Sequence, residues 1–104
     1  MKTTITTRHC EISDALRERA ASVAERLSGA AIRPTDAQVI FSVDGLDRVA
    51  ELQFRVPRDE PLIARATGED HRTALDRAEE KMRRQIERNS GRVLSGRRMD
   101  VPSA

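Results

Sequence analysis

A chain of 104 residues, 38% hydrophobic and 35% charged, is sized for one small domain with a modest core and leaves no room for a second. The formal charge is only +2, yet residues 1–69 carry ten basic and eleven acidic side chains while residues 70–104 carry nine and six, so the positive excess is local. A lone cysteine, Cys10, excludes an internal disulfide and a zinc cluster; no apolar run approaches the ~18–20 residues of a membrane span, and Met1-Lys2-Thr3-Thr4-Ile5 has no secretory-signal character, so a cytoplasmic location is expected.

Met1 to Arg8 reads as a short strand, because Ile5 lies among threonines whose β-branching favours extended backbone. Ser13 is a good N-cap for a first helix, which gathers Leu16, Ala20, Val23, Ala24 and Leu27 on one face. Gly29 is placed to end it in the left-handed conformation. From Ala37 to Val43 the residues alternate, with Ala37, Val39, Phe41 and Val43 on one side. A turn at Asp44-Gly45 leads into a second alternating run, Ala50, Leu52, Phe54 and Val56. Pro57 to Pro61 forms the next turn, and Leu62, Ala64 and Ala66 mark a last half-buried strand.

Asp70 can cap a long second helix that carries two stripes. His71, Leu75, Ala78, Met82 and Ile86 form an apolar one. Arg77, Lys81, Arg84 and Arg88 form a cationic one, with neighbours about 5–6 Å apart and no acid in the row. Arg92 and then Arg97-Arg98 continue it. The adjacent row, Arg72-Asp76-Glu79-Arg83-Glu87, has the alternating signs of ordinary intrahelical pairing. Gly91 is the expected stop of the helix, and residues 93–104 are expected to form a flexible tail.

The order is therefore β-α-β-β-β-α. A sheet with one apolar face and two amphipathic helices is satisfied by two layers, both helices on one face of a four-stranded mixed sheet. The first two strands, joined through a helix, run parallel, and the rest form an antiparallel meander.

Catalysis finds little support. His9 and His71 are the only histidines and belong to no metal-binding spacing. His9 and Cys10 are adjacent at a strand end, where neighbouring side chains point to opposite faces. The five glycines are isolated, so no phosphate-cradling loop is present. The cationic stripe suits a polyanion better than a point ligand. No aromatic side chains are arranged for base stacking, which favours backbone and shape recognition of structured RNA.

The chain resembles the ribosome hibernation-promoting factor family, also called ribosome-associated inhibitor A or sigma-54 modulation proteins. The resemblance spans nearly all of residues 1–92. It rests on Glu11-Ile12-Ser13-Asp14-Ala15-Leu16-Arg17, on Ala66-Thr67-Gly68-Glu69-Asp70, on Thr73-Ala74-Leu75-Asp76 after it, and on Lys81-x-x-Arg84-Gln85-Ile86-x-Arg88. It implies a double-stranded-RNA-binding-like α+β fold in residues 1–92, without enzymatic activity, cofactor or metal. It implies binding to 16S-type rRNA of the small ribosomal subunit, in the channel used by messenger and transfer RNA, and silencing of idle ribosomes. Lys81, Arg84, Arg88 and Arg92 on the second helix, and Arg17 and Arg26 on the first, match the family's RNA-contacting positions; Arg77 joins them from the stripe. The free protein is expected to be a monomer with no membrane partner. The chain departs from the family at Ser28-Gly29-Ala30-Ala31, where a basic-aromatic cluster is usual, and at Arg72, where an aromatic is common. The alternative reading is a protein-interaction or regulatory module of the same fold without ribosome binding.

Overall fold

The computed structural model of the chain describes residues 1–29 and 32–99, with residues 89–99 described by backbone alone. The elements are β1 (Lys2–Thr7), α1 (Asp14–Leu27), β2 (Asp36–Asp44), β3 (Asp47–Arg55), β4 (Leu62–Gly68) and α2 (His71–Met99). The sheet order is β1-β2-β3-β4. β1 runs parallel to β2, and β2/β3 and β3/β4 are antiparallel. The expected element order, the mixed sheet and the two-layer arrangement all hold.

Both helices cover the same sheet face. Ala20, Val23, Ala24 and Leu27 of α1 and Ala74, Leu75, Ala78, Met82 and Ile86 of α2 share one cluster with Val39, Phe41, Ala50, Leu52, Phe54, Ala64 and Ala66. The two phenylalanines, at 0% and 1% exposure, are the largest side chains in it. Each buries a large apolar area between sheet and helices and so contributes strongly to holding the layers together.

The alternation loses its burial at the strand ends. Val43, placed in the core row by sequence, is 37% exposed, because it pairs with Arg48 next to the hairpin, at the rim of the helix layer. On the opposite, helix-free face, Ile40 and Val49 are nonetheless buried. They sit in the two central strands, flanked by side chains of both edge strands, which a single strand's pattern does not reveal. The β2–β3 hairpin closes with Asp44 opposite Asp47, leaving Gly45-Leu46 as a two-residue loop. Gly45 has φ of 62°, and positive φ at the first central position alone is the type II′ pattern that suits twisted strands.

Ser13 caps α1 as expected, its hydroxyl accepting from the Leu16 N–H at 3.1 Å. The other end differs from expectation. Gly29 is not left-handed; Ser28, in extended conformation, ends the helix. The Ser28 hydroxyl donates to the Glu25 carbonyl at 2.9 Å and satisfies an end carbonyl that a left-handed cap would otherwise serve. α2 also differs: it passes through Gly91 and runs to Met99. A helical glycine costs only about 1 kcal/mol relative to alanine, and the first proline after the start of α2, a stronger breaker, is Pro102. The expected tail thus begins inside the helix, and residues 100–104 lie outside the described residues.

Candidate nucleic-acid interface

The site is built on α2, so its start matters. The Asp70 carboxylate accepts from the Thr73 N–H at 2.7 Å. That bond and the Thr73 hydroxyl hold the carboxyl below the usual carboxylate range. β4 meets this first turn at Gly68, where a Cβ would lie 2.9 Å from the Ala74 nitrogen. Only glycine lets strand and helix approach so closely. His71 follows, its Nε2–H donating to the Ser42 carbonyl at 2.8 Å and its ring meeting Phe41 edge-on at 5.5 Å. The helix is thereby pinned to the sheet before the cationic row begins.

One turn further, the row runs along the free edge of β4. Arg77 Nη1 donates to the Thr67 carbonyl at 2.9 Å. Lys81 Nζ donates to the Arg65 carbonyl at 2.8 Å. Gln85 Nε2 continues the series to the Ile63 carbonyl. Arg84 and Arg88 lie on the same flank farther out; Arg84 Nε is 3.5 Å from Glu80. Shallow open depressions follow the flank, one lined by Thr67, Arg77, Glu80, Lys81 and Arg84 and one by Lys81, Arg84, Gln85, Glu87 and Arg88. All four cations of the row are exposed, but Arg77 and Lys81 are tethered rather than directed freely into solvent. The sequence reading missed this tether because it depends on which strand lies beside the helix.

The neighbouring mixed row is not simply intrahelical. Asp76 pairs with Arg19 of α1 at 2.8 Å, and this partner raises the Arg19 guanidinium above its ordinary value. Glu79, only 8% exposed, receives both Arg26 of α1 at 3.3 Å and Arg83 at 3.2 Å. The carboxylate sits where α1 crosses α2 and is neutralised there by two guanidiniums. The pairing expected within α2 therefore also ties the two helices together.

The structure thus brings Arg77, Lys81, Arg84 and Arg88 onto one flank and separates the other two cations with described side chains from them. Arg26 lies on the α1 side of α2, bound to Glu79. Arg17 is exposed on α1, and at 100° per residue it lies about 200° round from Arg19, the residue facing α2. The side chain of Arg92 lies outside the described residues. Elsewhere, the Cys10 thiol donates to the Phe41 carbonyl at 3.4 Å while His9 is exposed, so the pair forms no nucleophile–base contact. No helix among the described residues is long and apolar enough to cross a membrane.

The fold has known counterparts. The family described as sigma 54 modulation protein / S30EA ribosomal protein matches residues 3–94. A ribosomal subunit interface protein from Coxiella burnetii superposes with a TM-score of 0.78 at 21% identity, covering 88% of this chain and 99% of that one. The N-terminal domain of Protein Y from Thermus thermophilus gives a TM-score of 0.70 at 27% identity, covering 85% and 98%. No curated protein matches the sequence. The matched span takes in all four strands, α1, and α2 through the whole cationic row, so the chain belongs to the sigma 54 modulation protein / S30EA ribosomal protein family.

Proposed function

We propose that the chain is a ribosome hibernation factor. It acts in the cytoplasm without catalysis, through its residues 1–92. It binds 16S-type rRNA of the small ribosomal subunit in the channel used by messenger and transfer RNA, and by occupying that channel it blocks translation on idle ribosomes. Family membership supports ribosome association. The observation that carries the rRNA reading is the one-sided row Arg77, Lys81, Arg84 and Arg88, raised on a helix that is pinned at its start by Asp70, Gly68 and His71.

A row of cations on one helix flank makes a linear field that attracts a phosphate backbone and reads no bases. Arg92 extends the row by one turn in this reading. Arg17 and Arg26 contact RNA from α1, Arg26 through guanidinium nitrogens beyond the one that reaches Glu79. Selection of the channel follows from shape, because the protein lacks aromatic side chains for gripping single bases.

The experiment is co-sedimentation with 30S subunits of the wild type and of a Lys81→Glu/Arg84→Glu/Arg88→Glu variant, with circular dichroism as the folding control. A folded variant that no longer pellets and no longer inhibits translation supports the reading. A folded variant that pellets like wild type favours the protein-interaction module.

A further inference from the structure

The contacts between α2 and β4 follow a regular spacing. β4 is an edge strand: its residues pair with β3 on one side, and among the described residues no strand pairs with the other. Alternate residues of an edge strand direct their carbonyls outward, and such a row invites another strand. Ile63, Arg65 and Thr67 are three alternate residues, and each carbonyl accepts one donor from α2: Gln85, Lys81 and Arg77 in turn. The donors recur every four helical residues, a rise of about 6.0 Å. The acceptors recur every two strand residues, a rise of about 6.6–6.8 Å. The mismatch per step is under about 1 Å, which flexible side chains absorb.

We propose that Arg77, Lys81 and Gln85 form a ladder of side-chain donors that closes the free edge of β4 against strand addition, and that the ladder also holds Arg77 and Lys81 in place for phosphate. The first half stands on the geometry alone. The second half rests on the rRNA reading. Each tethered cation keeps donors for a second partner: the Lys81 ammonium has three hydrogens and engages one carbonyl, and the Arg77 guanidinium has five. Their side chains are already held against backbone carbonyls in the free protein, so they lose less freedom on meeting phosphate.

Gln85 shows how to separate the two roles, because it reaches its carbonyl without a charge. An Arg77→Gln/Lys81→Gln pair keeps donors and loses cations. An Arg77→Met/Lys81→Met pair keeps the aliphatic stems and loses both. Urea denaturation, sedimentation velocity across a hundredfold concentration range and 30S co-sedimentation are measured on each full-length protein. The Gln pair is expected to keep the wild-type midpoint and monomeric state while 30S affinity falls at least tenfold. The Met pair is expected to lose the same affinity and also to show a lower midpoint or concentration-dependent self-association. Failure of the Met pair to fold where the Gln pair folds supports the ladder equally. Gln and Met pairs alike in midpoint and association state would overturn the ladder. A Gln pair that pellets like wild type would instead overturn the rRNA reading and leave the ladder standing. Gln85→Lys tests the second half in the positive direction: a cation on the third rung should steepen the salt dependence of binding by about 0.7–0.9 in log–log slope. An unchanged slope would contradict preorganisation by the edge.

Discussion

Replacing Gly68 by alanine adds one methyl group at the point where β4 hands over to α2. In glycine's place a Cβ would sit 2.9 Å from the Ala74 backbone nitrogen and 3.0 Å from both Cβ and Cγ2 of Thr73. Two of those atoms belong to rigid parts of the first helical turn, so relief requires strand and helix to separate by roughly half an ångström. Overpacking of this kind costs about 1–3 kcal/mol. An opposing effect exists: φ at Gly68 is not positive, so alanine is compatible with the backbone and stabilises by about 0.4–1 kcal/mol through the unfolded chain. The steric effect is larger, and the net loss is about 1–2 kcal/mol. In a domain of this size that is about 5–10 °C in thermal midpoint. The displacement is centred on the turn that carries the Asp70 cap and precedes the Arg77–Thr67 bond, so 30S affinity should fall as well. Differential scanning calorimetry and urea denaturation measure the change. A Gly68→Ala protein as stable as wild type, or more so, would refute the close-approach argument, because only the entropic effect would then remain.

Other expectations follow from the same structure. Phe41→Ala or Phe54→Ala should each cost about 3–5 kcal/mol in urea denaturation, since both side chains are essentially fully buried; an unmoved midpoint would mean that strand faces the other way. The depressed Asp70 carboxyl contributes stability that is fully present above the unfolded-state value near 4 and is lost as pH falls through its lower folded-state value. Asp70→Asn keeps an acceptor for the Thr73 N–H but should lose that part of the acid dependence, read as a flatter stability–pH curve below about pH 4. If Arg77, Lys81, Arg84, Arg88 and Arg92 neutralise four or five phosphates, log K should fall against log salt with a slope of about −3 to −4; a flat response would contradict phosphate binding.

Much of the fold was legible because its signals are local. Strand alternation in Ala37/Val39/Phe41 and Ala50/Leu52/Phe54, and the 3.6-residue stripes of both helices, specify which faces are buried. The Ser13 and Asp70 caps are equally local. What the sequence could not reveal depends on neighbours brought in from elsewhere. Ile40 and Val49 become buried on the helix-free face only because they occupy central strands. Glu79 reads as a surface charge until α1 brings Arg26 to it. The β4 ladder requires α2 to lie antiparallel along one particular edge. Gly29 marked the end of α1 but not its conformation, and the end of α2 was misplaced at Gly91, for a related reason: glycine permits a left-handed stop without enforcing one, and Ser28 and the continuing helix each offered an adequate alternative. For the site, the cationic row was read directly from spacing, while the separation of Arg26 and Arg17 from it came only with the packing of α1.

The central claim is that the α2 flank binds small-subunit rRNA, and co-sedimentation of the Lys81→Glu/Arg84→Glu/Arg88→Glu variant with purified 30S subunits tests it most directly. Lys81 leaves the β4 edge in this variant, so circular dichroism and the urea midpoint must first establish that the protein is folded. The account predicts that the folded variant stays in the supernatant at salt concentrations where wild type pellets with 30S. A folded variant recovered in the 30S pellet at the wild-type level would contradict it.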